Sequence, residues 1–582
     1  MTQTPIPLIL SFLTFLPLAG ALILMFLPSP ADQPADGGKE IDDPNRDFVN
    51  WVALGFSLMT LFLAITLFVS FQSHYFNPFT RSGMQFVDDF KWMAFGKIDI
   101  HYRMGVDGFS LLLIMLTTVL VPLCIYASFN VKKRIKEYMI FLLLLESGIL
   151  GVFTSLDLVL FYFFWEATLI PMYFLIGVFG QANRAKAAVK FFVYTFIGSV
   201  LMLVAIIGVY NTTGTFDLTA LADHAGGPGQ LLVNANPKAL LWMFAAFSLA
   251  FMIKVPMFPF HTWQPDAYCE APTAATVLLS GLMAKMGTYG FIRFCLPLFP
   301  VQARENSMLF IALAVIAIVY ASMIAITQPD SKRLIAYSSI AHLGIVMLGI
   351  FSFTRVGLTG AMIQCINHGI TTPMLFFIVG MLQERKRSTL ISDFGGLKKS
   401  APKMATFLLI ATLASIAVPF FNGFVGEFPI LLGSWVSQLS GPVPTAIAAS
   451  GMVLSAIYML WWFQRIMLGP ISHVGDEKMR DLSKREMAVL IPLAGLIFWI
   501  GLGSVFFTDR LTYSTEAILG YGKEMVTDTV PVYRQQTLLS NIIDPSPLRK
   551  DLPMQETTPQ GENHRLGIED QPPVREDGQR RQ

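Results

Sequence analysis

The chain is poor in everything from which redox and nucleotide chemistry is built. Its 582 residues include four cysteines, Cys124, Cys269, Cys295 and Cys365. They form neither CxxC nor any other metal-ligand spacing, which argues against cysteine-held iron–sulfur clusters. No GxGxxG follows a strand and no Gly-rich loop ends in Lys-Ser/Thr, so nothing is arranged to cradle a nucleotide phosphate. Charge is scarce, at 14% of residues with a net +2, and no basic tract with interleaved aromatics offers a nucleic-acid surface. The first apolar run has no basic flank before it and is closed by Pro28 without a small-residue cleavage site. It therefore reads as a membrane helix and not as a signal peptide.

What the chain has is hydrophobic length. Apolar residues make up 54%, and runs of about twenty recur from end to end, the mark of a polytopic membrane protein. The lipid bilayer is thus its first partner. Spans are expected near 5–28, 49–71, 106–128, 137–154, 157–179, 186–210, 237–258, 271–295, 306–326, 333–352, 357–381, 402–421 with a restart to 437, 443–468 and 487–507. This is an all-α polytopic fold of about fourteen transmembrane helices. The stretch 72–105, with its Phe, Trp and Met residues, is expected on the membrane surface. Lys and Arg gather in the odd-numbered loops, above all in Lys132–Lys136 and Arg385–Lys403. The positive-inside rule makes those loops cytoplasmic and sends both termini outward. The acidic first loop, Ala31–Asp47, and the basic 72–105 stretch run against that total.

Two spans are predicted to be broken. In Phe251-Met-Ile-Lys-Val-Pro-Met-Phe-Pro-Phe-His-Thr-Trp-Gln-Pro265, Pro256 and Pro259 each lack a backbone donor directly after Lys254. A second Val-Pro-x-Phe sequence, Val418-Pro-Phe-Phe421, lies five spans later and precedes Asn422-Gly423 and Glu427. Repeating an odd number of spans inverts the second copy, and inverted repeats with paired discontinuous helices are a transporter pattern. The expected organisation is three N-terminal helices (1–136), a first five-helix repeat (137–295), a second, inverted one (306–468), a last helix (487–507) and a polar, disordered tail (508–582).

Six ionisable residues fall inside apolar spans or at a break: Glu166, Lys254, Lys285, His342, His368 and Glu427. Glu146 is a seventh. A lysine at mid-membrane costs roughly 2.5–3.5 kcal/mol on insertion scales. One such charge is tolerable as a structural ion pair; six of both signs, spread over both halves, call for an ion pathway. Desolvation disfavours the charged form of a carboxylate or an ammonium, and a facing opposite charge restores it. Glu166 facing Lys254 would thus act as a switch, and histidines between fixed charges suit relay positions. Plainer roles stand beside these. Lys254 could snorkel from a helix end, His342 and His368 could be packing residues, and His261 could cap the break. Glu146 could bind a neighbouring helix or the Lys132–Lys136 cluster, and Asp266 and Glu270 could be structural.

The same residues carry a resemblance. Phe164-Trp-Glu-Ala-Thr-Leu-Ile-Pro-Met-Tyr-Phe-Leu175, Lys254-Val-Pro-Met-Phe-Pro-Phe-His-Thr-Trp-Gln-Pro-Asp-Ala267, Glu270-Ala-Pro-Thr273, Arg333-Leu-Ile-Ala-Tyr-Ser-Ser-Ile-Ala-His-Leu-Gly344 and Phe421-Asn-Gly-Phe-Val-Gly-Glu-Phe428 resemble the antiporter-like membrane subunits of respiratory complex I. The similarity runs from about residue 100 to 507. It implies a proton-translocating subunit in a bacterial inner membrane, with both termini periplasmic and other membrane-arm subunits as partners, notably the L-type and N-type sisters. Those sisters usually carry lysine at the second break, where this chain has Glu427. The resemblance implies Glu166–Lys254 as coupling pair, Lys285 and His342 as central relay, His368 as its continuation and Glu427 as terminal group. It implies no cofactor and no metal in this chain, with flavin, iron–sulfur clusters and quinone in other subunits. Tyr268-Cys269 departs from the more usual His-Thr. Two other assignments share these features: a subunit of an Mrp-type cation/proton antiporter, and a structural spacer without its own channel.

Overall fold

A computed structural model of the chain describes residues 8–33, 43–73, 83–96, 98–224, 227–470 and 479–526. Thirteen helices among them are long and apolar enough to cross a membrane. The span expected at 402–437 is the fourteenth, split into Pro402–Ser415 and Asn422–Trp435. The other split span ends at Lys254 and resumes as Trp263–Glu270. Both breaks are where the prolines placed them.

Burial is graded from rim to centre. Ile9–Phe26 and Pro44–Ser70 leave much of their surface open to lipid, whereas the central stretches of Thr273–Leu298 and Arg355–Lys386 are fully enclosed. Glycine makes that enclosure possible. A Cβ on Gly281 would stand 2.8 Å from Leu120 and 2.9 Å from Pro373; one on Gly287 would stand 2.8 Å from the Phe251 carbonyl. Small residues let these helix backbones approach closely, and Lys285 lies between the two glycines.

The loops form two faces. On the basic face, Gln33 N–H donates to Lys132 O at 2.9 Å and Arg134 N–H to Asp32 Oδ1 at 2.7 Å. The start of the acidic first loop thus sits against the Lys132–Lys136 segment; residues 34–42 of that loop lie outside the described residues. Arg385 pairs there with Glu486 at 2.7 Å. On the opposite face, the stretch expected on the membrane surface forms an antiparallel hairpin, Gln85–Phe95 with Ile98–Val106, turning at Gly96 in the left-handed region (φ 63°). Arg103 of the hairpin holds Asp89 at 2.6 Å and also pairs with Asp217. Among the described residues the fold is therefore helical with one two-stranded exception.

The tail boundary at Thr508 is corrected, because Ser504–Val526 is a helix. Ser514 reaches Asp107, and Arg355 pairs with Glu516 at 2.9 Å. These polar contacts offset the low hydrophobicity on which the sequence boundary was placed. Residues 527–582 of the expected tail lie outside the described residues.

On the hairpin face, Asp157 caps the helix Leu158–Ala167, accepting from Val159 N at 2.8 Å and Leu160 N at 3.1 Å. Burial, reinforced by the Asp217 carboxylate, pushes Asp157 up to about 6 against the pull of its backbone donors. A carboxyl raised in the folded state contributes stability below the unfolded value, which is lost as pH rises through the folded one. Asp157→Asn keeps a capping oxygen and removes the titration. Wild type should therefore lose thermal stability relative to this variant between about pH 4 and pH 6; parallel melting profiles would contradict the assignment.

Candidate functional site

At the first break, Lys254 is 2% exposed, so its ammonium does not snorkel to water. Freed backbone groups are taken up locally: Met257 N–H donates to Met252 O at 2.7 Å, and Trp263 Nε1 donates to Ile253 O at 2.9 Å. Lys254 Nζ has no hydrogen-bond partner. It lies over the Trp165 ring at 5.1 Å and the Phe191 ring at 5.9 Å. Desolvated cation–π contacts are worth about 2 kcal/mol, less than central burial of the charge costs.

Glu166 follows Trp165 near the end of Leu158–Ala167. Pro171 cannot donate to the Ala167 carbonyl, and the helix is interrupted at Thr168 before continuing as Leu169–Phe179. Glu166 Oε1 is buried without a partner, and Ser199 lies beside the carboxylate. Glu166 and Lys254 influence each other electrostatically, yet they form no direct ion pair. The structure thus holds the two groups in a separated arrangement, with the ammonium against aromatic rings.

The second break is strained. Ala417 (φ 55°) and Phe420 (φ 76°) adopt left-handed backbone without being glycine, each costing of order 1–3 kcal/mol. Beyond it, Glu427 is 1% exposed and its Oε1 gathers two partners: His342 Nδ1 at 2.7 Å and Gln364 Nε2 at 2.9 Å. Ser415 Oγ stands 3.4 Å from His342 Nε2. Asn367 Nδ2 donates to the Asn422 carbonyl at 2.7 Å and Asn422 Nδ2 to the Asn367 carbonyl at 3.3 Å, tying the restarted helix to Arg355–Lys386.

Between the breaks lies Lys285, directly after the π-helical segment Leu279–Met283. Such bulges often mark functional positions. Its Nζ donates to the Ser280 carbonyl and lies 2.6 Å from His368 Nδ1. The His368 and His342 rings are 6.0 Å apart. Lys285, His368, His342 and Glu427 thus form one line. The order differs from the sequence expectation: His368, not His342, meets Lys285. Of the six candidate groups, four keep a buried atom without a partner: Lys254 Nζ, Glu166 Oε1, His368 Nε2 and Glu427 Oε2.

The plainer roles resolve separately. Glu146 accepts from Ser57 at 3.1 Å, a neighbouring helix and not the Lys132–Lys136 cluster. Asp266 binds Lys190 at 2.7 Å and Arg333 at 2.9 Å, and Glu270 accepts from Asn183 N–H at 2.8 Å. The His261 ring packs against Phe258 and Tyr320 and meets the backbone of Pro259 at the break. Gln364 and Asn367 were missed as site members. Their signal was present, since positions 364, 367 and 368 share one helix face.

Three comparisons bear on this arrangement. The family described as "NADH:quinone oxidoreductase/Mrp antiporter, TM" matches residues 155–457, and "NADH-ubiquinone oxidoreductase chain 4, amino terminus" matches 53–152. NADH-quinone oxidoreductase subunit M of Rhodobacter capsulatus is 41% identical, over 86% of this chain and 94% of its own length. A chain of respiratory complex I from Thermus thermophilus superposes with a TM-score of 0.75 at 28% identity, covering 88% of this chain and 99% of that one. A chain of the Mrp complex from Dietzia shares the fold, with a TM-score of 0.72 at 19% identity over 88% of this chain and 99% of that one.

Proposed function

Because the chain belongs to the subunit M family of NADH:quinone oxidoreductase, we propose that its buried charges carry protons across the membrane arm of that complex. It is a multi-pass, proton-translocating subunit of complex I, working beside other membrane-arm subunits. The observation that carries the mechanism is the line Lys285–His368–His342–Glu427 between the two breaks, in contact at both ends and with the two imidazole centroids 6.0 Å apart.

In this reading Glu166 and Lys254 form the coupling site. When the carboxylate approaches, the ammonium is stabilised; when it withdraws, as in the separated arrangement, a lone desolvated ammonium tends to release its proton. The proton passes to Lys285, then to His368, and across the gap between the rings, which one water can bridge, to His342. Glu427 is the terminal acceptor at the second break. The matching Val-Pro breaks support two inverted five-helix repeats, and the strained second break gives the terminal site a backbone able to rearrange.

This chain acts as a translocase without redox chemistry of its own; flavin, iron–sulfur clusters and quinone belong to other subunits. The L-type and N-type sisters are its neighbours. The Lys/Arg-rich face is cytoplasmic and both termini face the periplasm of a bacterial inner membrane. Purification through a tag on this chain should bring down NADH-oxidising activity with flavin and iron–sulfur absorbance. A tagged complex without them, exchanging cations for protons, would instead establish the Mrp-type assignment.

A further inference from the structure

The enclosed helix that carries Lys285 also carries Arg293, two turns nearer the hairpin face and roughly 12 Å away along the axis. Arg293 lies in a second π-helical segment, Phe291–Cys295, and is 6% exposed. It pairs with Asp107, itself 5% exposed, at the start of Gly108–Ala127. Arg293 Nε donates to the Tyr289 hydroxyl and its NH2 to Ser110 Oγ, both at 3.1 Å. Ser110 N–H donates to Asp107 Oδ1 at 2.9 Å, and the Tyr289 hydroxyl donates to the Phe153 carbonyl at 3.3 Å.

The contrast with the proton line is chemical. Glu166, Lys254, His368 and Glu427 each keep an unpartnered buried atom, whereas none of the polar atoms of Asp107, Arg293 and Tyr289 is left open. A guanidinium does not give up its proton in a protein, so Arg293 is no relay. Around the pair, the Tyr289 ring packs against Phe109 at 5.9 Å, Phe153 at 5.3 Å and Phe294 at 6.3 Å, and Phe161 lies 4.1 Å from Phe294. On the hairpin side, a cavity of about 50 Å³ reaches Asp107 and Arg293.

We infer that the Asp107–Arg293 pair and the aromatic rings packed around it form a seal that bars protons arriving from the hairpin face from reaching Lys285. Each polar atom of the pair is already satisfied, so it offers no group to take or pass a proton, and removing either partner would leave a buried polar group open to water. The outlet is thereby left to the Glu427 break. The inference takes from the proposed function only the role of Lys285 as the group protected.

The test is passive proton leak in vesicles containing the assembled complex, under an imposed pH gradient and without NADH. Arg293→Gln and Asp107→Asn should each raise the leak several-fold, with NADH oxidation continuing and the steady-state gradient lowered. Tyr289→Phe leaves both charges and should stay close to wild type. Wild-type leak in assembled Arg293→Gln or Asp107→Asn overturns the seal. So does lost pumping with unchanged leak, which would place Arg293 on the path, or a Tyr289→Phe leak as large as that of Arg293→Gln. If Arg293→Gln fails to assemble, the near-isosteric Asp107→Asn decides alone. A wild-type complex that does not pump would defeat the proposed function while leaving the leak comparison intact.

Discussion

Lys254→Met is expected to leave the complex assembled, to melt it no earlier than wild type, and to cut NADH-driven proton pumping roughly ten-fold or more, about 1.4 kcal/mol of barrier per factor of ten. The two signs together make the result informative. Lys254 Nζ is buried with no hydrogen bond and no ion pair, held only against Trp165 and Phe191. Replacing a poorly compensated buried charge by an apolar side chain of similar volume is neutral or stabilising by about 1–4 kcal/mol. Breaking a good structural ion pair would instead cost about 3–5 kcal/mol. A destabilised Lys254→Met complex that still pumps would make Lys254 a structural residue. A stable complex that has stopped pumping makes it functional.

Glu427→Gln should lose pumping on a similar scale without loss of stability. His342 Nδ1 and Gln364 Nε2 both converge on one carboxylate oxygen, and a glutamine can place an oxygen there. What it cannot supply is a carboxyl able to take and release a proton. Glu427→Ala removes that oxygen and orphans two buried groups, each costing about 1–3 kcal/mol, so it should lower the melting temperature as well as pumping. Wild-type pumping by Glu427→Gln would assign Glu427 to packing.

Much of this site was legible because lipid makes charge conspicuous. A lysine, a glutamate or a histidine inside an apolar run stands out at once, and all six named positions prove buried or partly buried. Prolines marked both breaks for an equally local reason, since a missing donor is written in one residue. Pairing was not local and was read less well. The order His368 before His342 depends on how two antiparallel helices face each other across Gly281 and Gly369, which spacing along either helix does not encode. The aromatic faces against which Lys254 lies belong to Trp165 and to Phe191 on another helix. The hairpin was hidden because its strands carry charge and aromatics on a surface between membrane and water. The helix Ser504–Val526 was hidden because its buried apolar residues, Phe507, Leu511 and Ile518, are interspersed with polar ones and make no continuous hydrophobic run.

The most direct test of the central claim is NADH-driven proton pumping by Glu166→Gln, with assembly followed on a native gel. Glutamine keeps the shape beside Ser199 and Lys254 and removes only the charge that biases the lysine. The account predicts an assembled complex in which NADH oxidation and pumping collapse together. Wild-type levels of both in an assembled complex would contradict it and leave Glu166 a buried structural residue.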